Sequence, residues 1–260
     1  MNRIDHTFQE LRPRGRLALI AYLTAGYPSL QDTPALVQAV AGAGADMVEL
    51  GFPFSDPLAD GPTIQAASQA ALKQGVTVAR ALEAAASARR RTAVPLLVMT
   101  YLNPVLAFGV EAFCRQAAQA GIDGLIIPDL PPEEAGELRP AATQAGLDLV
   151  FFVAPTSTPA RIRAAAAAAT GFIYCVALTG VTGARDQLDP AVLPLVRSVK
   201  AETSLPVVVG FGLSRPEHLQ ALRGVADGAI VASALLDAIR QEPQDAVGAA
   251  SRFVRGLEVR

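Results

Sequence analysis

Short, nearly unbroken apolar runs recur along the chain at Leu17–Leu23, Met47–Leu50, Leu96–Thr100, Gly124–Ile127, Leu149–Val153, Phe172–Val176, Val207–Gly210 and Ala229–Val231. Runs of Val, Ile and Leu without polar alternation suit strands buried on both faces, as in a parallel sheet. Between them the apolar positions change to helical spacing, as in Thr33–Ala43, Val110–Ala120, Glu133–Ala145, Thr158–Ala169 and Ala191–Thr203. Ahead of the first strand, Ile4, Phe8 and Leu11 fall on one face of a short helix. Eight strands alternating with helices predict an α/β fold, a closed (β/α)8 TIM barrel with an extra amino-terminal helix, over residues 1–260 as one domain. A doubly wound open sheet is the alternative. It calls for a glycine fingerprint after the first strand, and Thr24–Pro28 does not provide one.

Composition narrows the class. With 260 residues, 51% of them hydrophobic, the chain can fill one large core. A net charge of −2 lacks the basic stripe of a nucleic-acid binder. The run Arg89–Arg91 is expected to complement the negative end of a helix. Met1–Arg16 is too polar for a secretory core, and glycines break up the uncharged stretch Ala164–Ala184, so a soluble, cytoplasmic protein is expected. Cys114 and Cys175 form no framework and read as buried small hydrophobes.

Barrel chemistry sits at the carboxyl ends of strands. The corresponding loops are Thr24–Ser29, Gly51–Pro62, Tyr101–Pro104, Pro128–Pro132, Ala154–Ser157, Ala177–Leu188, Phe211–Arg215 and Ala232–Ser233. Lys73 and Lys200 lie in helical stretches away from strand ends, which disfavours a Schiff-base aldolase. His6 and His218 lie in the amino-terminal helix and at a helix start, so a catalytic metal cluster is not expected either. What remains at the mouth is acid: Glu49, Asp56, Asp60 and Asp129. Asp56, before a proline, reads as a loop cap. Glu49 reads as an acid–base group, because glutamate is a poor turn residue and costly to bury.

Glycines follow strands six and seven at Gly180, Gly183, Gly210 and Gly212, and Ala232-Ser233 opens a helix after strand eight. Together they suggest a phosphate held by backbone N–H groups and a helix amino terminus. The mouth also carries Phe52, Phe54, Leu58, Leu102, Val105 and Leu106, an apolar rim of the kind that marks an interface.

The stretch from Glu49 to Gln65, reading ELGFPFSDPLADGPTIQ, resembles the most characteristic motif of the tryptophan synthase α chains. The resemblance extends through Ala21–Gly26 (AYLTAG), Pro155–Thr158 (PTST), Thr179–Arg185 (TGVTGAR) and Gly210–Gly212 (GFG). It implies cleavage of indole-3-glycerol phosphate to indole and glyceraldehyde 3-phosphate. By this resemblance Glu49 protonates indole C3 and helps deprotonate the side-chain hydroxyl, while Asp60 faces the indole N–H. Tyr174 stands beside the substrate, Thr182 and Gly183 belong to a lid over Thr179–Leu188, and Gly212 and Ser233 offer N–H groups to phosphate. Phe211, Ile64, Ile126 and Ile230 would form the indole slot.

Two positions depart from the family pattern. Tyr22 stands where phenylalanine is common, and Ala232 replaces a usual glycine, which is tolerated only at negative φ. The resemblance also implies no cofactor on this chain and a partner β chain that carries pyridoxal phosphate, in an αββα heterotetramer. The rival readings are a free-standing lyase, a non-catalytic barrel that binds a phosphorylated ligand, and a sugar-phosphate isomerase.

Overall fold

The computed structural model describes residues 2–176, 190–210 and 212–257. In chain order its elements are α1 (Arg3–Leu11), β1 (Ala18–Thr24), α2 (Thr33–Gly42), β2 (Met47–Gly51), α3 (Pro62–Lys73), α4 (Val78–Arg89), β3 (Leu96–Met99), α5 (Leu102–Phe108), α6 (Val110–Gln119), β4 (Gly124–Ile126), α7 (Leu138–Ala145), β5 (Asp148–Val153), α8 (Pro159–Ala168), β6 (Ile173–Val176), α9 (Val192–Glu202), β7 (Val207–Gly210), α10 (Pro216–Leu222), β8 (Gly228–Val231), α11 (Ser233–Gln241) and α12 (Ala246–Gly256). All eight strands pair in parallel with their sequence neighbours, and β1 pairs with β8 to close the barrel. The open-sheet alternative is thereby excluded. Nearly every strand residue is buried, as unbroken apolar runs require.

Helix starts follow local chemistry. Pro62, Pro159 and Pro216 occupy first turns, where the missing N–H has no intrahelical partner to lose. Thr77 and Thr158 cap α4 and α8 by accepting the N–H of Arg80 and Arg161. Two expectations are corrected. The helix expected over Glu133–Ala145 is a 3-10 turn at Pro132–Glu134 followed by α7 from Leu138. Pro140 cannot donate into a helix already under way, but it is accommodated in a first turn. The loop expected at Tyr101–Pro104 is mostly helix, since α5 begins at Leu102, where Asp129 accepts its first N–H at 2.9 Å.

The foot of the barrel is closed by α1, which buries Ile4, Phe8 and Leu11 as expected. Phe8 meets Phe172 edge to face, with centroids 6.0 Å apart. Around it, aspartates at strand starts tie the foot together. Asp46 accepts the N–H of Leu19 at 2.9 Å and pairs with Arg16; Asp227 accepts the N–H of Val207 at 2.8 Å and pairs with Lys200 at 3.0 Å. Asp123 accepts the N–H of Leu96 at 2.8 Å and pairs with Arg3 at 2.7 Å and Arg89 at 3.4 Å. Arg89 therefore does more than complement its helix end, whereas Arg90 donates to the carbonyl of Ala86 in its own last turns. Both cysteines are buried and free.

Candidate functional site

Strand pairing places Tyr22 of β1 directly beside Glu49 of β2, and Thr24 beside Gly51. Alternation along a strand sends Tyr22 and Glu49 to the same face, the barrel interior. Gly51 and Gly210, at the ends of β2 and β7, leave room for large rings. A Cβ on Gly51 would strike the Tyr22 hydroxyl, and one on Gly210 the hydroxyl of Tyr174. Two tyrosines thus lie across two glycines at the mouth.

Glu49 is fully buried, and neither carboxyl oxygen has a hydrogen-bond partner. Burial, followed by the negative charge of Asp60, raises its pKa to about 8. Asp60 is half-buried at the end of the β2–α3 loop. Its pKa rises to about 7 through burial, a shift opposed by a hydrogen bond from Tyr101. The Tyr101 hydroxyl also accepts the N–H of Ala59 at 2.9 Å, which fixes the loop against the start of α5. Burial likewise raises the hydroxyl pKa of Tyr22 and Tyr174.

These groups border a cleft at the mouth of the barrel. Tyr22, Glu49, Asp60, Ile64, Tyr174, Gly212, Ile230, Ala232 and Ser233 all line it, so most of the expected site residues come together. Ile126 does not. It is fully buried, and the wall at this strand is formed by Pro128, two residues further along the same face. Thr182, Gly183 and Phe211, with the lid expected at Thr179–Leu188, lie outside the described residues. Met99, Phe152, Leu213 and Tyr101 were not anticipated. Met99 and Phe152 could have been found by following strand alternation upward, since Phe152 pairs with Tyr174 and their rings lie 4.5 Å apart.

The other mouth acids have structural partners. Asp129 caps α5, and exposed Asp56 bonds Ser55 at 2.5 Å. Lys73 lies in α3 and Lys200 pairs with Asp227 at the foot, both away from the cleft. On the wall of the same cleft, α11 opens at Ser233. Its cap, Ala232, has φ −124°, so the Cβ that replaces the family glycine is not forced into the left-handed region. Among the described lining residues none is basic, so an anion there would be met by N–H groups and the helix dipole. The rim divides. Phe52 and Val105 fold into the core, whereas Leu58 is 93% exposed and Leu106 48%.

A closed parallel barrel, with a buried glutamate and an aspartate on the wall of a cleft at its mouth, places the chain among the (β/α)8-barrel enzymes. The family model for the tryptophan synthase alpha chain matches residues 8–258. The tryptophan synthase alpha chain of Chloroflexus aggregans is 52% identical over 99% of this chain and 97% of its own length, and that of Carboxydothermus hydrogenoformans 49% identical over 94% and 92%. A structure of Mycobacterium tuberculosis tryptophan synthase superposes with a TM-score of 0.91 at 41% identity, covering 98% of this chain and 96% of the other. The chain belongs to the tryptophan synthase alpha chain family, lyases that cleave indole-3-glycerol phosphate.

Proposed function

We propose that this chain cleaves indole-3-glycerol phosphate with Glu49 as the proton carrier and Asp60 as the partner of the indole N–H. The observation that carries the reading is Glu49 itself, a fully buried carboxyl with two unpartnered oxygens and a pKa near 8 on the wall of the cleft. Such a group is protonated at neutral pH and can give its proton to indole C3. The ring then becomes an electron sink, with positive charge at its nitrogen. The ionised Glu49 takes the proton of the side-chain hydroxyl, the carbon–carbon bond breaks into the ring, and a carbonyl forms. Indole and glyceraldehyde 3-phosphate leave with Glu49 protonated as before. Asp60, as carboxylate, accepts the indole N–H and stabilises the developing charge in a site shielded from water.

The indole would lie against Ile64, Phe152, Tyr174 and Ile230, with the phosphate toward Gly212 and the start of α11. Residues 1–260 act as one barrel domain, without a cofactor of their own. The partner is a β chain that carries pyridoxal phosphate, in an αββα assembly, and exposed Leu58 and Leu106 at the mouth suit such a partner. A cytoplasmic location accords with the family's biosynthetic role; no helix among the described residues is long and apolar enough to cross a membrane.

The test is incubation of the full chain with indole-3-glycerol phosphate, with and without the β chain, measuring both products. Equimolar indole and glyceraldehyde 3-phosphate, formed faster with the β chain, are expected. No product in either case would refute the reading. Full activity alone, with no complex formed, would favour the free-standing lyase.

A further inference from the structure

We infer that His218 is a positioning residue for the phosphate end of the cleft, an inference that rests on the phosphate reading above. His218 lies in α10, outside the cleft, and only 3% of it is exposed. Its Nδ1 accepts the backbone N–H of Ser214 at 3.3 Å. Ser214 follows Gly212 and Leu213, both of which line the cleft. Gly212 has φ +73°, the left-handed region, so the chain reverses at a residue with wide conformational freedom. The bond to His218 fixes the peptide plane directly after that turn. Leu213, in the same turn, is only 3% exposed.

The acceptor role requires Nδ1 to carry no proton, so the imidazole acts here as an oriented lone pair. A wall ordered before the ligand arrives spares binding the cost of ordering it. The bond between His218 and Ser214 does not itself involve Glu49 or Asp60. Loss of the His218 acceptor should therefore weaken binding of the phosphorylated reactant and leave the proton chemistry unchanged.

The reverse condensation of indole with glyceraldehyde 3-phosphate separates the two ends of the site within one assay of the full chain. His218→Leu removes the acceptor and leaves a part-buried N–H without it. It should raise KM for glyceraldehyde 3-phosphate about tenfold, in line with such a loss, with KM for indole and kcat within about twofold of wild type. His218→Asn places an oxygen close to the position of Nδ1 and should restore the wild-type KM. An unchanged KM for glyceraldehyde 3-phosphate in His218→Leu would overturn the inference, as would parallel changes in both KM values and kcat. If His218→Leu does not fold, His218→Asn is compared with His218→Gln, whose amide oxygen sits one carbon further out; equal KM values for the two would also overturn it. Ser233→Asp places a carboxylate at the proposed phosphate position. If it raises KM for glyceraldehyde 3-phosphate while the His218 variants do not, only the role of His218 fails. If it leaves that KM unchanged, the phosphate reading fails and the inference fails with it.

Discussion

The hydroxyl of Tyr101 is shared between the Ala59 N–H, which it accepts, and the carboxylate of Asp60, to which it donates. The Pro-rich β2–α3 loop is thereby tied to the residue that opens α5, and the tie opposes the upward shift that burial imposes on Asp60. Tyr101→Phe should raise the Asp60 pKa further, so the acidic limb of the kcat profile should move to higher pH. A loss of about tenfold in kcat near pH 7 is expected from one missing hydrogen bond to a charged group. An acidic limb that stays in place would show that Tyr101 does not hold the working carboxylate.

The wild-type profile should itself be bell-shaped. Activity needs Asp60 ionised, so it falls as pH drops through about 7; it needs Glu49 protonated, so it falls as pH rises through about 8. The two limbs belong to the coupled pair. Asp60→Asn removes the negative charge that helps raise Glu49, so the residual activity of this variant should show its alkaline limb at lower pH. A limb displaced upward would contradict the coupling.

The same buried carboxyl has a cost in stability. Glu49 is protonated in the folded state up to about pH 8 but ionises near 4.5 when unfolded. The folded state therefore binds more protons across that window, and this stabilising contribution, full below pH 4.5, is lost as pH rises to about 8. Glu49→Gln should be more stable than wild type at pH 8 and close to it at pH 4.5, as followed by urea unfolding. A difference independent of pH would mean that the folded pKa is not raised.

At the foot, Asp123 binds one strand N–H and two arginines far from the mouth. Asp123→Ala leaves a buried N–H and a half-buried Arg89 uncompensated and should cost about 2–3 kcal/mol. Melting should fall by roughly 5–10 °C, while kcat per folded molecule stays near wild type. A loss of kcat with unchanged melting would contradict the separation of stability from chemistry.

How much could be foreseen follows the same division. Strands buried on both faces have no polar positions to confuse the pattern, and Val207–Gly210 was located to the residue. The alanine-rich helices α3 and α4 offer little apolar contrast and were not located individually. Glu49 was legible because a glutamate has little other reason to end an apolar strand. Tyr101 was not, because its role depends on contact with a loop 42 residues earlier. Ile126 falls on the interior face but not among the described residues that line the cleft, since a buried strand pattern marks that face without saying which residue reaches the cleft.

The central claim is that Glu49 carries the proton to indole C3, and the most direct measurement is single-turnover cleavage of indole-3-glycerol phosphate by Glu49→Gln beside its equilibrium affinity for the substrate. The rate should fall by at least about a thousandfold with affinity within severalfold of wild type, because the amide keeps the shape of the wall but holds no transferable proton. A variant that retains a tenth of the wild-type rate would contradict the claim.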